Sequence, residues 1–268
     1  MLVRNYKERI MRKMRGCKVL LGILLMVTQV WSIEIKSLAQ AVNEAGRQRM
    51  LTQRMLKDYA MIGIGNTFGN PKEDLKKVTE MFADHLKGLT AFATDPETKK
   101  SLEEQRRLWE PIKKMLSEPP TKERAAELQG KLDALLKAVN TTTELFAKQT
   151  GKKSGEIINI SGRQRMLSQR MANLYILKVW GIDDPKFKEK MNAAMKLFDD
   201  SLKKLIASDL NTPEISKLLN RVKKNFMFFQ VMNRSRSKFI PSLIYKKSNE
   251  ILKDMNKVTG LYAAQKVK

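Results

Sequence analysis

The segment Asn43 to Met55, NEAGRQRMLTQRM, recurs at Asn159 to Met171 as NISGRQRMLSQRM. Gly46 and Gly162 set the offset at 116 residues. The same offset pairs Phe82 with Phe198, Leu86 with Leu202, Leu89 with Leu205, Leu136 with Leu252, Asn140 with Asn256, Leu145 with Leu261, Phe146 with Tyr262 and Gln149 with Gln265. One register kept over about a hundred residues marks a duplicated domain and not a short recurring motif. Any fold proposed for the chain must therefore be one that can be built twice.

Each copy reads as helices. In the first, Ser37 to Ile64 forms one long helix, ended by Gly63, Gly65, Gly69, Asn70 and Pro71. Lys72 to Phe92 carries Leu75, Val78, Phe82, Leu86 and Leu89 at three- and four-residue spacing, the stripe of an amphipathic helix. Asp95-Pro96 opens a third helix running to about Met115, and Pro119-Pro120-Thr121 opens a fourth through Leu128, Leu132, Leu135, Val139 and Phe146. The second copy breaks at Gly181 to Pro185, Asn211 to Pro213 and about Pro241, and no stretch alternates as a strand would. The expectation is an all-α chain of two tandem four-helix up-down bundles.

Four helices in up-down order bring the chain back to the end where it began, and residues 150–155, Thr-Gly-Lys-Lys-Ser-Gly, supply a turn. The first helices of the two copies then lie in parallel, packed as an intramolecular pseudo-dimer. The rival arrangement is one continuous helix through 150–155 that stacks the bundles end to end, because a lone Gly costs a helix only about 1 kcal/mol.

The chain of 268 residues is 42% apolar, enough for a core, and carries a formal charge of +24. Seven of its bases lie before Lys18 or at it, followed by an uncharged run from Val19 to Trp31. That run is shorter than the roughly 20 residues of a membrane span and suits a signal peptide cleaved after Ser32, with an uncleaved anchor as the alternative. The domains expected are thus 1–32 as signal, 33–150 as the first repeat and 151–268 as the second, in a periplasmic or secreted protein. Cys17 is the only cysteine and falls within the leader, so a mature chain would hold no thiol and no disulfide.

Projected at 100° per residue, Val42, Ala45, Arg49, Thr52 and Leu56 share one narrow arc, with Gly46 and Gln53 at its edge. In the second copy the arc is Ile158, Ser161, Arg165, Ser168 and Ala172, edged by Gly162 and Gln169. One arginine stands in each small, apolar seam with no acidic residue beside it. Two such charges about 6 Å apart repel by roughly 2–3 kcal/mol at an effective dielectric near 20, and a bound anion reverses that penalty. The planar guanidinium fork suits a small planar oxyanion, the glycines admit close helix approach and the glutamines can donate. The expected site is therefore Arg49 and Arg165 with Gly46, Gly162, Gln53 and Gln169. Arg47, Arg54, Arg163 and Arg170 project the other way, toward solvent or acidic partners of their own bundle.

Both motif segments resemble the signature of the periplasmic sensor domain shared by PilJ-type chemotaxis transducers of type IV pili and the nitrate/nitrite sensor kinases. The resemblance is carried by residues 37–64 and 153–180, and by helix pattern alone elsewhere. It implies that motif helices pair and that one arginine from each grips the anion, which maps onto Arg49 and Arg165. It also implies a membrane sensor kinase or chemotaxis transducer as partner, since the chain carries no second apolar span, kinase region or methyl-accepting region of its own. PilJ-type domains include members whose ligand is not nitrate, so the resemblance leaves the identity of the anion open; the alternative function is a structural or interaction protein of the envelope or pilus that binds no ligand.

Other chemistry finds little support. His85 is the only histidine, so a metal site is not expected, and neither a Ser-His-Asp set nor a phosphate-binding glycine loop is present. No cofactor and no enzymatic activity are expected. The bases are spread over all helices without interleaved aromatics, which points to an anionic envelope surface and not to nucleic acid.

Overall fold

The computed structural model describes residues 33–151, 153–182, 184–234 and 240–265. The expected leader and its cleavage point lie outside the described residues.

Eight helices are found among the described residues, with no strand. They are α1 (Leu38–Gly63), α2 (Pro71–Phe92), α3 (Pro96–Leu116) and α4 (Lys122–Gln149), then α5 (Lys153–Val179), α6 (Phe187–Ile206), α7 (Pro213–Arg234) and α8 (Pro241–Ala264). The starts follow from side chains that satisfy orphan backbone donors: Ser37 accepts from the Gln40 amide, Asp95 from Thr98 and Thr121 from Arg124. Pro71, Pro96 and Pro241 occupy first-turn positions where no donor is needed. None of these helices is long and apolar enough to cross a membrane.

In the first copy α1 packs on α2 and α4, and α3 on α4; in the second α5 packs on α6 and α8, and α7 on α8. Phe82 meets Trp109 at 4.4 Å between ring centroids, and Phe198 meets Phe226 at the same distance, so each copy closes its core with an aromatic pair. Burying an apolar side chain of this size contributes about 1.5–3 kcal/mol.

The link between copies is not a continuous helix. α4 ends at Gln149 and Gly151 takes φ +60°, a left-handed conformation that glycine adopts without steric penalty. α1 and α5 then pack directly on each other. Their contacts rise together in number, from Gly46 beside Gly162 to Gly63 beneath the Trp180 ring, so the two helices run parallel.

The motif helices are buried on nearly every side. From Ala41 to Met61 every residue of α1 is buried except Arg47 and Arg54, and from Ser161 to Leu177 every residue of α5 is buried except Arg163 and Arg170. Each motif helix is enclosed by its own bundle on one side and by the other copy on the other.

Candidate functional site: a buried arginine pair

The crossing of α1 and α5 is made possible by two missing side chains. A Cβ added to Gly46 would lie 3.9 Å from the Gly162 Cα, and one added to Gly162 would lie 3.8 Å from the Gly46 Cα. The two backbones are thus nearly in contact, and the space beside them is filled by the arginines. The position of a Gly46 Cβ is 3.2 Å from Arg165 Nη2 and 3.3 Å from Arg49 Nη2, so both guanidiniums converge on one point.

Arg49 and Arg165 are both 0% exposed. Arg49 donates from Nη1 to Asn140 Oδ1 at 3.0 Å and from Nη2 to the Asn159 carbonyl at 3.1 Å. Arg165 donates from Nη1 to Asn43 Oδ1 at 3.0 Å and Asn256 Oδ1 at 3.3 Å, and from Nη2 to the Asn43 carbonyl at 3.0 Å. Each arginine thus reaches across to the other copy's motif helix, and all these acceptors are neutral. The Nε of each is buried without an acceptor. Burial pushes both guanidiniums down to about 9; next in weight comes the charge of Arg163 on Arg49, and of Arg47 on Arg165. Both stay charged at neutral pH, so the centre holds two cations, and among the described residues neither donates to a carboxylate.

The four outer arginines find acids, Arg47 and Arg54 within their own bundle as expected; Arg163 and Arg170 depart from that expectation, because their acids, Glu144 and Asp133, lie on α4 of the other copy. Arg54 forks onto Asp74 at 2.8 and 2.5 Å, Arg47 lies 3.4 Å from Glu44, Arg163 lies 3.8 Å from Glu144 and Arg170 lies 3.5 Å from Asp133.

The glutamines are placed elsewhere. Gln53 donates to Thr52 and accepts from Asn173 Nδ2 at 3.0 Å, while Gln169 accepts from Lys57 Nζ at 2.7 Å and donates to the Ser248 carbonyl. They belong to a second polar layer further along the seam. Gln53 and Gln169 follow the arginines by one helical turn, and their amides turn to the partner helix instead of back toward the guanidiniums.

That second layer escaped the sequence reading. Lys57 is fully buried, bonded to Gln169 Oε1 and Asn249 Oδ1 at 2.7 Å each, with its Nζ 3.9 Å from the Tyr245 ring centroid. Burial pushes it down to about 8. His85 is also buried, with Nδ1 3.3 Å from Glu44 Oε2, and burial pushes it down to about 4. Among the described residues no cluster of three His, Cys, Asp or Glu side chains is disposed to hold a metal.

The asparagines that hold the arginines were also passed over, although a signal for them existed. Asn43 and Asn159 open the two motif copies, and Asn140 and Asn256 are paired by the repeat register.

A family model described as "Type IV pili methyl-accepting chemotaxis transducer N-term" matches the chain over residues 32–141 and again over 146–226. The second match ends within α7, before α8 begins. Comparison with curated proteins and with solved structures gave no match.

Proposed function

Because the chain belongs to the PilJ family, whose model matches it in two tandem segments, we propose that it is an anion-sensing module of that family. Its ligand is a small planar oxyanion of the nitrate or nitrite kind, held between Arg49 and Arg165. One observation carries this reading: two wholly buried guanidiniums converge on one point, and among the described residues neither donates to a carboxylate and each has a buried Nε without an acceptor. A buried cation pair is costly unless countered, and a planar anion with acceptors on several edges matches unspent donors on two forks. In this reading the module works in the periplasm and passes its state to a membrane sensor kinase or chemotaxis transducer, the class of machinery to which the family belongs.

A second reading is favoured by a different observation. Each guanidinium already donates to a backbone carbonyl and to asparagine side chains, one for Arg49 and two for Arg165, which suits a pair that serves only as a structural lock in an envelope or pilus interaction protein.

Thermal unfolding with nitrate, nitrite, sulfate and chloride separates the two. A ligand at one hundred times its dissociation constant stabilises by about 2.7 kcal/mol. The sensing reading predicts such a shift for a planar oxyanion and its loss in Arg49→Ala and in Arg165→Ala alike. No shift with any anion, or shifts that survive both substitutions, leaves the structural lock.

A further inference from the structure

Each inner arginine is tied to a carboxylate at one remove. Asn43, whose oxygen accepts from Arg165, donates from Nδ2 to Glu44 Oε1 at 3.2 Å, and Glu44 Oε2 lies 3.4 Å from Arg47. Asn140, whose oxygen accepts from Arg49, donates from Nδ2 to Glu144 Oε1 at 2.8 Å, and that oxygen lies 3.8 Å from Arg163. Two relays of the same order result, inner arginine to asparagine to glutamate to outer arginine. Both run between the copies: Arg165 is held from α1, and Arg49 from α4, whose glutamate meets Arg163 of α5.

The repeat does not generate this symmetry. At the offset of 116 residues Glu44 faces Ile160 and Glu144 faces Gly260, so both carboxylates come from the first copy. Asn159, the counterpart of Asn43, has a buried Oδ1 without a partner.

We infer that Glu44 and Glu144 are positioning residues for Arg165 and Arg49, acting through Asn43 and Asn140. An amide between a guanidinium and a carboxylate has its orientation fixed, oxygen to the cation and nitrogen to the anion. The carboxylate thereby locks the fork without occupying it. A carboxylate bonded directly to the arginine would hold it as firmly but would take the donors that an anion needs. The role of the relays in anion capture rests on the function proposed above; their hold on the guanidiniums does not.

The test uses the whole chain and two readouts. The first is the 15N–1H spectrum of the arginine side chains without added anion. Glu44→Gln is expected to broaden or shift the Arg165 signals and spare those of Arg49, and Glu144→Gln to do the reverse, more weakly because the Glu144 side chain is 53% exposed against 10% for Glu44. The second is calorimetric titration with nitrate. Glu44→Gln weakens binding by about tenfold, the scale of one hydrogen bond to a charged group. Asn43→Asp, which puts a carboxylate on the fork, weakens it by about a hundredfold or more while leaving the melting temperature equal or higher.

Arginine spectra unchanged in both glutamine variants overturn the positioning role. So does nitrate binding that is equal or tighter in Glu44→Gln, since mere removal of a nearby negative charge favours an anion. Wild-type chain that binds no anion yet shows the selective spectral changes contradicts the proposed function and leaves the relays standing.

Discussion

At the residue scale the centre depends on what two positions lack. A Cβ on Gly46 or Gly162 would meet Arg165 Nη2 at 3.2 or 3.1 Å, tighter than side chains ordinarily pack, so the fork has to move. Gly46→Ala and Gly162→Ala are therefore expected to lower nitrate affinity by about tenfold or more, read by calorimetry. Their net effect on stability stays within roughly 1 kcal/mol, because helix propensity favours alanine by about that amount. At Gly130 and Gly260 an added Cβ meets nothing within 4 Å, and alanine there should stabilise by about 0.5–1 kcal/mol with binding unchanged. His85 supplies a pH test. Its folded value of about 4 lies below its ordinary 6.5, so below pH 6.5 the unfolded chain binds the proton that the folded chain refuses. The wild type is thus expected to lose, relative to His85→Gln, on the order of 1–3 kcal/mol as pH falls from about 6.5 to about 4, measured by urea unfolding. Equal slopes for the two chains in that window would contradict the buried, neutral imidazole. The placement of Arg49 and Arg165 in the seam was legible because a charge in a small, apolar arc is conspicuous; the turn of the Gln53 and Gln169 amides away from the guanidiniums was not, because an arc gives azimuth and not the direction in which an amide turns.

At the element scale the sequence is informative about where helices begin and stop. Ser37, Asp95 and Thr121 are read as caps from their chemistry, and the glycine and proline clusters end helices for steric reasons that need no partner. What surrounds a helix is a different matter. Gln48, Gln164 and Asn173 look like solvent-facing polar residues, yet they are buried because their partners come from distant segments: Gln48 and Gln164 donate to the carbonyls of Phe82 and Phe198, and Asn173 to Gln53. Periodicity registers hydrophobic contrast, so it cannot recognise a helix that buries polar groups on all sides. Lys57 is the extreme case, a cation driven from α1 between α5 and α8. Lys57→Met removes the charge 3.8 Å from the buried Asp58 and strands the oxygens of Gln169 and Asn249, so a loss of about 1–3 kcal/mol is expected by chemical denaturation. A variant as stable as the wild type would mean that this layer does not hold the seam.

At the scale of the whole molecule the duplication became an unequal partnership. The repeat predicted two like bundles, and the arginines, glycines and asparagines of the centre do recur in register. The glutamates, Lys57 and His85 do not: their counterparts are Ile160, Gly260, Asn173 and Ser201. Fusing the copies in one chain allows each half to specialise, which a dimer of identical chains cannot do. Because α1 and α5 share a buried polar seam, unfolding is expected as one cooperative transition, with calorimetric and van't Hoff enthalpies in agreement; two resolved transitions would mean that the copies fold as separate units. The central claim, that the arginine pair is an anion site, is met most directly by calorimetric titration of nitrate into the full chain and into Arg49→Ala and Arg165→Ala. Binding of one nitrate per chain, lost in both variants, is the predicted result; no heat from the wild type with nitrate or nitrite, or binding that persists without either arginine, would contradict it.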